Sequence, residues 1–402
     1  MRAATSDILL LTAIAALAQF ANNIYLPSLP AIAADLDASA TTIQLTVTVF
    51  LACLGLVQLG YGPLADRHGR RPVFTGGACL FLAGTLLAMV AQSAAMLIAA
   101  RALQAIGAGA GIVVSRAIAR DRFDGPELGR VFALMTMAFG LVPAVVPLLG
   151  GVLQQTLDWH APFAATFLVG LAVLAIFRRR QPESLAKALP ALDPATIAAA
   201  YLEVARSRRF LGSAMAASGA LGGLFAFFTG SPFVFMEVLG VTPIEYGFYP
   251  PIAVLGFVVG AFLSKRWTRD MAPLALARRG LLPLALGALA MVGPPLAGLL
   301  HPFQINAAIL VWVMGLGLIM PAMTQHAMTP FGHVAGTASA LLGFLQMSGA
   351  AVASAAVGAL TPWSVVLAFP VVMVMMALVG AIGVALAGGP AAQPSAGSVR
   401  VG

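Results

Sequence analysis

Charge is what this sequence has least of: only 9% of its 402 residues are Asp, Glu, Lys or Arg, against about a quarter in ordinary soluble domains. With 60% apolar residues, the chain cannot hide its apolar surface in a water-soluble core, so its solvent is lipid. Cysteine is nearly absent. Cys53 and Cys79 lie within apolar runs, where small buried thiols fit, and no disulfide framework is implied. Lysine occurs only at Lys187 and Lys265; arginine carries the rest of the basic charge, a bias without mechanistic weight. No His/Cys cluster has metal-ligand spacing, no phosphate-cradling loop appears, and no nucleophile, base and orienting acid meet at one depth. Those absences speak against an enzyme, a metal or cofactor site, and an ATP-driven pump.

What is present is long apolar segments. A membrane-crossing helix needs roughly 20 mainly apolar residues. That template fits twelve times, at residues 8 to 30, 42 to 64, 73 to 92, 95 to 118, 129 to 153, 161 to 178, 211 to 236, 244 to 264, 280 to 300, 303 to 325, 334 to 358 and 364 to 387. The longest polar stretch, RRRQPESLAKALPALDPATIAAAYLEVARSRR, separates the sixth from the seventh. The expected organisation is therefore an N-terminal six-helix bundle (1–178), a linker (179–210), a C-terminal six-helix bundle (211–388) and a Gly/Pro/Ala/Ser-rich, disordered tail (389–402). Within the linker, Asp193 as N-cap and Pro194 at the first helical position predict a short amphipathic helix running to Ser207. Arg2 followed by an apolar run has the form of a signal peptide, but the run continues past Asn22 and Asn23 to about Leu29. It is read as a retained first helix.

Basic residues set the topology. With the N-terminus taken as cytoplasmic, both lysines and every arginine except Arg101 fall on one side, from Arg2 through Arg67, Arg130, Arg178 and Arg209 to Arg400. The opposite loops carry Asp35, Asp37, Asp158, Glu237 and Glu245 instead. The positive-inside rule then puts both termini in the cytoplasm. The net charge of +8 faces anionic lipid headgroups in this arrangement and needs no nucleic-acid partner. The halves also echo each other: GPLADRHGRR ends the second helix and GAFLSKRWTR the eighth, setting Gly62 opposite Gly260 and Asp66 opposite Ser264.

Three segments carry chemistry. In GYGPLADRHGRRPV, residues 60 to 73, Gly62 permits close helix approach, Gly69 permits a tight turn, and Asp66 is an acid among Arg67, Arg70 and Arg71. In RALQAIGAGAGIVVSRAIARD, residues 101 to 121, Arg101, Gln104 and Ser115 recur on one helix face, while Gly107 and Gly111 offer a small-residue contact surface. Arg101 lies about 9 Å along its helix at 1.5 Å per residue, within snorkelling reach of the headgroups, yet Gln104 continues the polar face inward. In FGLVPAVVPLLGG, Pro143 and Pro147 precede Gly150 and Gly151, a pattern for a bent and tightly packed helix.

The first of these resembles the signature loop of the major facilitator superfamily, G-x-L-x-D-R-x-G-R-R. The resemblance implies twelve transmembrane helices in two pseudo-symmetric six-helix bundles around a central cavity. It also implies that Asp66 belongs to a cytoplasmic charge relay, with Arg116 or Arg120 as partner. The second segment resembles R-x-x-Q-G-x-G-A, which implies proton or substrate coupling through Arg101 and Gln104. The third resembles the antiporter signature G-P-x-x-G-G, with Val146 where that motif has a small residue. SPFVFMEVLGVTPIEYGFY (231 to 249), GTASALLGFLQMSGA (336 to 350) and YLPSLPAIAADL at the end of the first helix are similar to the Bcr/CflA drug-resistance branch. One departure stands out. Where such exporters commonly carry an acid just before YLP, this chain has Asn23, and no Asp or Glu falls at mid-membrane depth in any predicted helix.

Pro27 and Pro30 predict a break in the first helix where it lines a water-filled cavity. The expected lining is Gln19, Asn22, Asn23 and Leu26; Gln44, Thr48 and Gln58; Phe225 and Thr229; and the amides Gln325 and Gln346. Polar groups of this kind also serve as glue between helices. The resemblance implies a monomeric exporter of small, mostly apolar compounds in the bacterial inner membrane, working in exchange for protons. The alternative is a metabolite exporter or uncoupled facilitator of the same fold, which Asn23 makes credible. A membrane receptor or assembly factor would need neither broken helices nor a gating loop.

Overall fold

The computed structural model describes residues 2–185 and 194–388, and among these every regular element is helical. The expected tail and Asp193 lie outside the described residues. Among the described residues, eleven helical runs are long and apolar enough to cross a bilayer. The longest, Pro302–Leu360, holds 59 residues, which as one rod would measure roughly 90 Å, about three times the hydrocarbon core. It is two helices, folded back at Thr329–Val334, where Phe331 leaves helical geometry (φ −110°, ψ 32°). The crossing helices thus number twelve among the described residues. They are helix one (Arg2–Asn23), two (Ala40–His68), three (Arg70–Met89), four (Ala94–Arg122), five (Gly125–Thr156) and six (Ala161–Arg180), then seven (Arg208–Phe233), eight (Tyr249–Trp267), nine (Pro273–Leu296), ten (Pro302–Met328), eleven (Ala335–Leu360) and twelve (Val365–Ala387).

Helices begin where the sequence supplies a hydroxyl. Ser39 accepts the N–H of Thr42 at 3.1 Å, and Ser93, Ser207 and Ser364 accept those of Met96, Phe210 and Leu367 at 3.2 Å. Each cap satisfies a donor that the first turn leaves open. Helices five, six, eight, nine and ten carry proline in the first turn instead, where its missing N–H removes the same problem.

Helices one to six pack together, as do seven to twelve, and the two lobes meet where helix two runs along eleven and where helix five meets eight. Alternation of helix direction gathers the arginines at one end of the molecule, the basic end. A linker helix, Pro194–Ala205, is not a free surface element. The Tyr201 hydroxyl donates to the Leu59 carbonyl of helix two at 3.0 Å, and Val204 is buried against Phe210 and Phe331 of the second lobe. It therefore straps both lobes at the basic end.

Helix one breaks as its prolines predict. Ile24 and Tyr25 turn, Leu26–Ser28 forms one tight turn, and helix resumes over Leu29–Asp35. The expected exposure to water does not follow: Leu26, Pro27 and Ser28 are buried. Helix five covers the break, with Gly150 so close that a Cβ there would lie 1.7 Å from the Ile24 carbonyl oxygen.

Candidate functional site

At the end remote from the arginines, hydrogen bonds cross from lobe to lobe. Thr41 donates to the Gly358 carbonyl at 3.0 Å, Thr361 donates to Gln44 Oε1 at 3.0 Å, and Gln44 Nε2 reaches the Thr229 carbonyl at 3.4 Å. One turn further in, Thr48 and Ser354 share a hydrogen bond of 2.8 Å. Helix five completes the closure. A Cβ at Gly151 would lie 2.2 Å from the Pro243 carbonyl oxygen of the second lobe, and one at Gly247 would lie 2.6 Å from Leu148 Cα. The glycine pair is thus the surface on which two backbones meet, Gly150 within its own lobe and Gly151 across the lobe boundary.

Below this closure a cavity of about 570 Å³ lies between the lobes. Its walls come from the basic-end halves of helices two, four, five, ten and eleven and from the more remote halves of helices one, seven and eight, and they are mostly apolar. Gln19, Gln58, Phe225, Gln325 and Gln346 stand in this wall. Asn22, Asn23, Leu26, Gln44, Thr48 and Thr229 do not: they are packed into the closed half, some of them forming the hydrogen bonds just described. The polar groups of Asn22, Gln44, Thr48 and Thr229 meet a neighbouring helix and those of Asn23 meet Gln19 of its own, distinctions that sequence spacing does not carry. Arg116, anticipated as a partner for Asp66, instead presents its side chain to the cavity.

Arg101 does not snorkel. It is fully buried in the first lobe, its guanidinium between the rings of Tyr25 and Phe50, 4.2 and 4.1 Å from their centroids. It donates to the Ala21 carbonyl at 3.1 Å, to Asn22 Oδ1 at 3.0 Å and to Gln104 Oε1, and Gln104 in turn donates to Thr85 at 2.8 Å. The charge is met by carbonyl oxygens and aromatic faces, a desolvated cation–π sandwich. No carboxylate takes part among the described residues. Arg101 Nε, Asn22 Nδ2 and Asn23 Oδ1 are buried without a partner there. Gly107 and Gly111 serve different neighbours: a Cβ at the first would strike Phe81 of helix three, at the second Ile14 of helix one.

At the basic end Asp66 bonds Arg70, one turn on across the Gly69 corner, and Arg70 also holds Asp121 of helix four at 3.1 Å. Asp66 therefore pairs with neither Arg116 nor Arg120. Gly69 has φ +94°, a conformation open to glycine, and a Cβ there would lie 2.6 Å from Glu183 Oε2. That carboxylate accepts the N–H groups of Arg70 and Arg71, at 2.9 and 3.0 Å, capping helix three from the start of the linker. Burial pushes the Glu183 carboxyl up, but four backbone N–H bonds, from Leu185, Arg71, Arg70 and Ser184, outweigh it and hold the group below the ordinary carboxylate range. Arg71 donates to the Arg178 carbonyl at 2.9 Å, Arg67 and Arg120 are exposed, and Gly62 faces open space. Asp121, Glu183, Tyr25 and Phe50 were not legible beforehand.

The Major Facilitator Superfamily profile matches residues 11–354, and the chain belongs to that superfamily. Among its relatives, the uncharacterized MFS-type transporter YdgK of Bacillus subtilis is 32% identical over 345 residues, with 84% of each chain covered. Multidrug resistance protein D of Escherichia coli is 30% identical, with 86% of each covered. The chloramphenicol resistance protein of Pseudomonas aeruginosa is 31% identical, over 84% of this chain and 80% of that one. These names agree with the Bcr/CflA-type drug-transporter branch read from the motifs. A bacterial homolog of the human lysosomal transporter Spinster, in an inward-facing and unoccupied conformation, superimposes with a TM-score of 0.75 at 16% identity, over 96% of each chain.

Proposed function

We propose that the chain is a secondary active exporter that moves small, mostly apolar compounds across the bacterial inner membrane by alternating access, as a monomer and in exchange for protons. Its basic end, with both termini, faces the cytoplasm. One observation carries the reading: the lobes are hydrogen-bonded together at the far end, while the cavity lies on the basic-end side of those bonds. That is the geometry of a carrier waiting for cytoplasmic substrate. The polar residues of the closed half would line the cavity once the lobes rock and the Gly151 contact parts. The Asp66–Arg70–Asp121 relay would brace helices two, three and four during that motion. The drug-resistance names of the relatives support the substrate class.

Efflux from proteoliposomes, with and without an imposed pH gradient, tests the proposal. Export driven by the gradient is expected. Transport indifferent to the gradient would keep the carrier and remove proton exchange, leaving the second reading, an uncoupled facilitator or metabolite exporter. That reading is favoured by Arg101, whose described partners are all uncharged. Strains with and without the chain, compared for tolerance to a compound panel, would name the substrates.

A further inference from the structure

Arg116 lies six residues before the end of helix four, about 9 Å at 1.5 Å per residue. Its side chain is exposed, and it forms part of the cavity wall. It forms no ion pair or hydrogen bond with any described residue. Among the described lining residues it is the one charged group; the other polar ones are the amides of Gln19, Gln58, Gln325 and Gln346 and the hydroxyls of Thr324 and Ser339. The nearest acid in sequence, Asp121, is held by Arg70. Arg120, one turn on, adds its positive field to the same place. Membrane orientation does not explain this direction, since Arg120 and Arg122 already mark the helix end.

An apolar chamber with one free guanidinium suits one kind of guest. The guanidinium forks onto two oxygens of a carboxylate, sulfonate or phosphate, and it repels a cation. Closing the chamber over an unpaired Arg116 would bury an isolated charge, which a bound anion would neutralise. We infer that the cavity selects amphiphilic organic anions, an acid group on an apolar aromatic or aliphatic body, with Arg116 reading the acid group. The inference rests on the exporter reading above and names its substrate class.

The test uses the purified full chain and three probes of one shape: naphthylacetate, its neutral amide, and a naphthylethylammonium ion. Equilibrium binding is read first, then efflux from loaded proteoliposomes. Naphthylacetate should bind about tenfold or more tighter than the amide, the size of one charge-assisted hydrogen bond, and the ammonium ion weakest. Arg116→Gln should erase that order, and Arg116→Lys, which keeps the charge without the fork, should retain part of it. Equal binding of the three probes, or an anion preference that survives Arg116→Gln, overturns the assignment while leaving carriage intact. Preferential binding of naphthylacetate that is never followed by its movement would keep the assignment and overturn the exporter reading.

Discussion

Arg101 donates to Asn22 Oδ1 across 3.0 Å, and both side chains are buried inside the first lobe. A charge at this depth is tolerated because Ala21, Asn22 and Gln104 supply oxygens and Tyr25 and Phe50 supply aromatic faces. Arg101→Ala empties the sandwich and orphans the oxygen of Asn22. The expected result is loss of export together with about 1–3 kcal/mol of stability, the usual range for a buried polar group left unpaired. Thermal unfolding and proteoliposome efflux of Arg101→Ala and Arg101→Lys check it. Export at the original rate by the alanine variant would remove Arg101 from the transport cycle.

The neighbouring Asn23 donates Nδ2 to the backbone carbonyl of Gln19 at 2.7 Å and to its Oε1 at 3.2 Å. The 2.7 Å partner is a backbone carbonyl, which can only accept, so a carboxyl in this position keeps that bond only while it carries a proton. Asn23→Asp should therefore add a proton-dependent step beside the cavity, where Gln19 is part of the wall. Efflux by this variant should depend more strongly on an imposed pH gradient than efflux by the parent chain. An identical dependence in the two chains would mean that position 23 takes no part in coupling.

The helices were readable because lipid demands long apolar runs and puts arginines at one end, properties each segment carries by itself. Gln44, Thr48 and Thr229 show what is not local. Periodicity places them on polar faces, but whether such a face meets the cavity or another helix depends on how the two lobes come together. The partner of Asp66 was missed for a related reason. Arg70 sits one turn away in sequence, yet only the Gly69 corner and the arrival of Asp121 and Glu183 from helix four and the linker make that pairing a relay. Arg116 looked like a helix-end charge; its view of the cavity comes from the gap between lobes.

Gly151 makes the far-end closure testable. A Cβ at this position would lie 2.2 Å from the Pro243 carbonyl oxygen and 2.9 Å from its carbon, and backbone cannot step aside as a flexible side chain can. Gly151→Leu should wedge the lobes apart at that end and favour the opposite-facing state. Spin labels at Thr156→Cys and Val238→Cys, with Cys53 and Cys79 replaced by alanine, would report a longer distance in the leucine variant. Efflux should fall, because the carrier can no longer reset. An unchanged distance would show that helix five does not form the seal.

Glu183 supplies a pH dependence whose sign follows from its bonds. Burial raises its carboxyl and four backbone N–H bonds lower it further, so the folded value is depressed. Such a group stabilises the fold above the unfolded carboxylate value of about 4.3 and loses that effect as pH falls through the folded value. Glu183→Gln removes the charge and half the acceptor capacity at the start of helix three. The variant should melt below the parent at neutral pH, and the gap should narrow as pH falls from about 7 to about 3, because the parent then loses the same carboxylate. Melting temperatures of both purified chains across that range measure it. A gap that stays constant with pH would show that the charge of Glu183 contributes nothing and that only its shape is needed under Gly69.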